Sequence, residues 1–95
     1  MRFVYIIFSE SAQKFYIGET GDINERLVKH NGGVYKNAFT AKARDWEIQT
    51  VIACENRTVA LKIEKHIKSM KSKVYIENLT KYPELREKLI SRFNN

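Results

Sequence analysis

Ninety-five residues with 17 Lys and Arg against 11 Asp and Glu give a net charge of +6, and 43% hydrophobic residues suit one folded domain with a single modest core. No apolar run approaches the roughly 20 residues that cross a membrane, and the N-terminus lacks a secretion signal, so the expectation is a cytoplasmic chain with no membrane partner. Its lone cysteine, Cys54, excludes an internal disulfide, and the basic excess favours a polyanionic partner, nucleic acid before membrane.

In chain order, Phe3 to Phe8 and Gln13 to Gly18 are rich in aromatic and β-branched residues and read as two strands. With Ser9-Glu10-Ser11-Ala12 as the loop, Phe8 pairs with Gln13, Phe3 faces Gly18, and Tyr5 stands directly opposite Tyr16. Val4, Ile6, Phe8, Phe15 and Ile17 then form a core face, and Phe3, Tyr5, Ile7, Lys14, Tyr16 and Gly18 a site face. Two readings of the tyrosines stand open, an ordinary cross-strand aromatic pair and a pair of site phenols.

Asp22-Ile23-Asn24-Glu25 matches a capping box, so a helix is predicted from about Ile23 toward His30, ended by Asn31-Gly32-Gly33. Ile23, Arg26, Leu27 and His30 share about a third of its circumference, which turns an arginine and a histidine toward the apolar side. They either snorkel to the rim or line a site. From Arg26 to Arg44 the chain holds Lys29, Lys36 and Lys42 and no carboxylate, and it mixes these with Tyr35 and Phe39, a combination suited to phosphates and bases. A short helix is predicted near residues 38 to 44. A solvated loop is the competing reading.

Trp46 to Cys54 alternates as a third strand with Trp46, Ile48, Ile52 and Cys54 on one face. A second helix is predicted over about Val59 to Met70, with Val59, Ala60, Ile63, Ile67 and Met70 as its apolar stripe. Beside that stripe stands Glu64, the only carboxylate between Glu55 and Glu77, suited to an ion pair with Lys68 or to a metal ion. Ser72 to Thr80 reads as irregular or partly extended. Pro83 opens a last helix, about 83–93, with Leu85, Leu89 and Phe93 inward.

No Ser-His-Asp or Cys-His set, glycine-rich phosphate loop or cluster of carboxylates is present, which excludes many hydrolases. The groups that remain suit phosphodiester cleavage, with one divalent ion, an arginine for the phosphoryl charge, and a phenol or imidazole for water. The order of residues resembles the GIY-YIG nuclease family over about residues 2–75, and in particular small standalone domains similar to the nuclease domain of the UvrC excision-repair protein. Phe3-Val4-Tyr5 stands in place of Gly-Ile-Tyr, Tyr16-Ile17-Gly18 is intact, Glu25-Arg26-Leu27 with His30-Asn31 resembles the arginine helix, and Ala60-Leu61-Lys62-Ile63-Glu64-Lys65 the glutamate helix.

The resemblance implies an α/β fold, a small three-stranded antiparallel sheet flanked by helices. It also implies a metal-dependent DNA endonuclease, in DNA repair or processing. Tyr5 is then the general base or its partner, Tyr16 the second phenol, Arg26 the phosphate ligand, His30 a proton-transfer aid, and Glu64 the holder of a single Mg²⁺ or Mn²⁺. Asn78 is a candidate for the asparagine that often follows the glutamate helix in the family. Lys29, Tyr35, Lys36, Lys42 and Arg44 are candidate DNA contacts. Phe3 replaces the family's first glycine and in the expected register either packs over Gly18 or crowds the entry to the site. Family members commonly take targeting from an attached domain, so this chain is expected to bind DNA through its own surface, to act weakly or to rely on a partner protein for targeting, and the alternative function is an inactive nucleic-acid-binding module that keeps the fold.

Overall fold

The computed structural model describes residues 1–32, 41 and 43–94. Its elements run β1 (Arg2–Ser9), β2 (Lys14–Thr20), α1 (Ile23–Asn31), β3 (Trp46–Cys54), α2 (Arg57–Met70), α3 (Lys73–Lys81) and α4 (Pro83–Phe93). The strands form one antiparallel sheet in the order β2-β1-β3, the flanked three-stranded sheet that the sequence predicts.

The hairpin register differs from the predicted one by two residues. Tyr5 lies opposite Gly18, Ile7 opposite Tyr16, Phe8 opposite Phe15 and Phe3 opposite Thr20. Tyr5 and Tyr16 are therefore diagonal neighbours, and Phe3 does not sit over Gly18. The cause is at the turn, where Ser9 stays paired with Lys14 and the loop is residues 10–13 instead of 9–12. Asp45, just before β3, accepts from the Ser9 hydroxyl (2.6 Å), the Ser11 hydroxyl (2.9 Å) and the Ser11 amide (2.9 Å), and Gln13 closes the turn at φ 52°. These donors, the Ser9 hydroxyl first, hold the Asp45 carboxyl at a pKa of about 2. Because the slip is an even number of residues, each side chain keeps its predicted face.

Both faces are covered. Val4, Ile6, Ile17, Ile52 and Cys54 pack against Val59, Ala60, Ile63 and Ile67 of α2 and against Ile76, Leu79 and Leu89 of α3 and α4. Cys54 is the buried hydrophobe expected of it, and burial pushes its thiol pKa up. On the other face Tyr5, Ile7, Ala43 and Trp46 form a smaller core with Ile23 and Leu27 of α1. The predicted site face is thus itself a second core. Trp46 and Ile48 belong to it while Ile52 and Cys54 belong to the first, so the four do not share a face as the alternation predicts. A bulge is responsible: Ile6 pairs with Thr50 and Ile7 with Ile48, which leaves Gln49 as the extra residue and reverses the parity of β3.

Local signals place α1, α2 and α4 where the sequence expects them. Asp22 caps α1 by accepting from the Glu25 amide (3.0 Å), while Glu25 turns to Lys29 (2.7 Å) and Thr20 accepts the Asp22 amide proton. Asn56 caps α2 through the Val59 amide, which starts that helix at Arg57, two residues before the predicted start. Residues 73–81, predicted as irregular or extended, form α3 instead. Val74, Tyr75 and Ile76 favour strands, yet Ser72 caps the helix through the Tyr75 amide (3.1 Å), Ile76 and Leu79 are buried, and Arg86 of α4 donates to the Leu79 and Thr80 carbonyls at its end.

Asn31 fixes how α1 meets the sheet. Its side chain donates to the Trp46 carbonyl (3.0 Å) and accepts from the Trp46 amide (2.7 Å), so it pairs with β3 as a strand residue would. The expected cost of Asn31→Ala is about 1–3 kcal/mol, from the loss of both hydrogen bonds to Trp46. Urea denaturation of the variant beside wild type measures it, and an unchanged midpoint would show that the clamp contributes nothing.

Candidate active site

Three rings meet where α1 crosses the hairpin. The Tyr5 hydroxyl and His30 Nε2 are 2.9 Å apart, and the two residues are only 2% and 3% exposed. Tyr16, half-buried, sets its ring edge-on to His30 with centroids 5.0 Å apart, and its centroid lies 6.2 Å from that of Tyr5. The even register slip preserves the facing of the two tyrosines, and the capped start of α1 aims His30 down at them. Gly18 is needed for this packing. A Cβ there would overlap the Tyr5 ring, whose Cζ would be only 2.5 Å away, so the tyrosine of one strand lies across the glycine of the next.

Arg26 stands one turn before His30 on the same side of α1 and is half-buried. Burial first, and the Arg26 charge second, push the His30 pKa down to about 4. The imidazole is neutral at physiological pH. His30 therefore turns inward as the helical spacing predicts, and the Arg26 charge lies close enough to act on it.

Glu64 approaches from elsewhere. It lies on α2, whose apolar stripe packs on the opposite sheet face, and it pairs with Lys68 at 3.2 Å. Seven residues earlier on that helix Arg57 reaches Glu19 of β2 (3.7 Å), and one turn later Lys68, with Lys71, lines a cleft against Lys14, Phe15 and Ile17. Glu64 thus stands over β2, the outer strand that also carries Tyr16. No hydrogen bond or ion pair joins it to Tyr5, Tyr16, Arg26 or His30 among the described residues. Asn78 is half-buried on α3, with no side-chain hydrogen bond to the ring group among the described residues.

The carboxylate fits a hard divalent ion. It is an oxygen donor with a side chain 16% exposed, and its i,i+4 partner Lys68 holds it by only a few tenths of a kcal/mol. No group of three or more His, Cys, Asp or Glu side chains that could hold a metal exists among the described residues, so a Glu64-bound ion would draw its remaining ligands from water and substrate.

Of the predicted DNA contacts, Lys29 is half-buried and paired with Glu25, and Arg44 is exposed. Tyr35, Lys36 and Lys42 lie outside the described residues, as does most of the helix predicted near 38 to 44. Sequence reasoning missed Asn31 and Asp45, whose work is to pin the site's elements together. Neither carried a local signal, since each acts on a partner at least fifteen residues away.

Two phenols and an imidazole thus meet under one helix of a three-stranded antiparallel sheet flanked by helices. The family model of the GIY-YIG catalytic domain matches residues 1–79, and the chain belongs to that family. The GIY-YIG family comprises endonucleases that act on DNA and generally use divalent metal ions. No helix among the described residues is long and apolar enough to cross a membrane. Comparison with curated proteins and with solved structures returned no match.

Two outcomes are expected from the ring group. Gly18→Ala should cost about 1–3 kcal/mol by forcing the Tyr5 ring off its seat, read as a lowered Tm, and an unchanged Tm would mean that the ring shifts freely. His30 binds its proton near pH 6.5 when unfolded and near pH 4 when folded, so the unfolded state takes up more protons between these values and stability falls as pH falls through that window. By pH 4.5 the loss from this group approaches about 2 kcal/mol. Urea unfolding at pH 7 and 4.5 should show the acid loss shrinking in His30→Gln, and an equal loss in both proteins would rule out His30 as its source.

Proposed function

We propose that this chain is a metal-dependent DNA endonuclease that cleaves phosphodiester bonds at the surface shared by α1 and β2. The observation that carries the reading is the hydrogen-bonded Tyr5–His30 pair with Tyr16 packed on it and Arg26 beside it.

Arg26 binds the scissile phosphate and neutralises the charge that grows on its oxygens, as a guanidinium does in a partly desolvated site. Tyr5, Tyr16 and His30 hold the attacking water in line and pass on its proton. With its pKa at about 4, His30 in the free protein is roughly six units too weak to take a phenol proton, so it acts first by fixing the direction of the Tyr5 hydroxyl. A phosphate docked on Arg26 reverses part of that balance. It offsets the arginine's repulsion and favours the imidazolium, which raises the basicity of His30 when substrate is present. Mg²⁺ or Mn²⁺ on Glu64 would supply positive charge for the leaving oxygen. Lys29 and Arg44, with Tyr35, Lys36 and Lys42, guide the DNA backbone, and a partner protein supplies targeting in DNA repair or processing.

The test is nicking of supercoiled plasmid by purified protein with Mg²⁺ or Mn²⁺, beside Arg26→Ala and Glu64→Gln. Wild type should convert the plasmid to the open circle, each variant should be at least about 100-fold slower, and EDTA should abolish the reaction. Salt-sensitive binding without any nicking would replace this reading with an inactive nucleic-acid-binding module.

A further inference from the structure

Across the sheet from the ring group, α2 and α4 enclose a groove that the nuclease reading does not use. Lys62, Lys65, His66 and Ser69 of α2 line one wall, and Arg92 and Phe93 of α4 the other. An adjoining depression adds Lys88 and Tyr75. No carboxylate lines either, and among the described residues no ion pair engages Lys62, Lys65, Lys88 or Arg92. Cations held this close without anions repel one another, a cost that a bound polyanion removes.

The groove also has flat surfaces between its charges. His66 and Phe93 have centroids 5.4 Å apart, His66 meets Tyr75 edge-on at 6.1 Å, and the Arg92 guanidinium lies 5.1 Å from the Phe93 centroid. Burial first, and the Arg92 charge second, lower the His66 pKa, so its ring is neutral near pH 7 and suited to stacking. All three rings are half-buried. Cations spaced around partly open rings match a single strand, whose phosphates and unpaired bases alternate, better than a duplex, whose bases are already stacked. Residues 80–95, which include α4, lie beyond the family match, so one wall of the groove stands outside the matched part of the chain.

We propose that the α2–α4 groove is a second nucleic-acid site, which holds a single-stranded DNA segment with bases against Phe93 and His66 and phosphates on Lys62, Lys65 and Arg92. It rests on the reading of this chain as one that acts on DNA, and it names the substrate feature that the protein would hold away from the cut, an unpaired strand.

Fluorescence anisotropy with a labelled oligothymidine of about 12 nucleotides, in EDTA so that no cleavage intervenes, tests it. Lys62→Gln/Lys65→Gln should weaken binding about tenfold and reduce the slope of log affinity against log salt by about 1.4, the value for two phosphate contacts on a single strand. Phe93→Leu, which keeps an apolar anchor for α4 against the core, should weaken it by about fivefold or more with unchanged circular dichroism at the assay temperature. Failure of wild type to bind the oligomer, unchanged binding by both groove variants, an equal loss on a blunt duplex, or tighter binding to phosphatidylserine vesicles would each overturn the proposal. Plasmid nicking separates it from the nuclease reading: the expected binding pattern without nicking leaves the groove standing and the nuclease reading lost, and nicking with indifferent oligomer binding does the reverse.

Discussion

The Tyr5 side chain, laid across Gly18 and reaching His30, is the contact on which the rest of the arrangement depends. It joins the central strand, the outer strand and α1 in one place, and it works only because Gly18 has no side chain. Tyrosine and glycine in register across the hairpin explain why the two short motifs of this chain belong together. The aromatic ring fills the space that the glycine leaves, and the hydroxyl finds the only kind of partner that such burial tolerates, a hydrogen-bonding one.

Burial on both sheet faces sets the electrostatics. With α1 closing over Tyr5, Ile7 and Trp46, His30 is held away from water and beside a fixed positive charge, so it stays neutral. A neutral imidazole can accept from a phenol; an imidazolium cannot. The same burial that costs the domain stability in acid therefore leaves the imidazole able to act as an acceptor at neutral pH. Glu64 lives under different conditions, on a helix anchored to the other face and restrained only by a neighbouring lysine. The phenols lie on one face of the sheet, and the helix that carries the carboxylate lies on the other.

The pieces that hold this geometry are modest polar side chains. Asn31 ties the end of α1 to the first residue of β3, and Asp45, one residue before it, ties β3 to the β1–β2 turn. Both act at the same end of the β1–β3 pairing, where Ser9 lies opposite Trp46.

Most of the ring group was legible in the sequence because it follows from local periodicity. Alternation put Tyr5 and Tyr16 on one face, and helical spacing put Arg26 with His30; neither depends on knowing the neighbours. Asp22 and Pro83 announced helix starts by their own chemistry. The register, the bulge at Gln49, the helix over residues 73–81 and the side from which Glu64 approaches were decided only by tertiary contacts. A two-residue slip leaves every facing unchanged while replacing every cross-strand partner, so the pattern could not reveal it. One unpaired residue reverses a strand without altering its composition, and Ile76 and Leu79 gain more from a shared core than Val74, Tyr75 and Ile76 lose by leaving the extended state. An apolar stripe states that a helix packs on something. Which face of the sheet it packs on depends on how the whole chain closes around it.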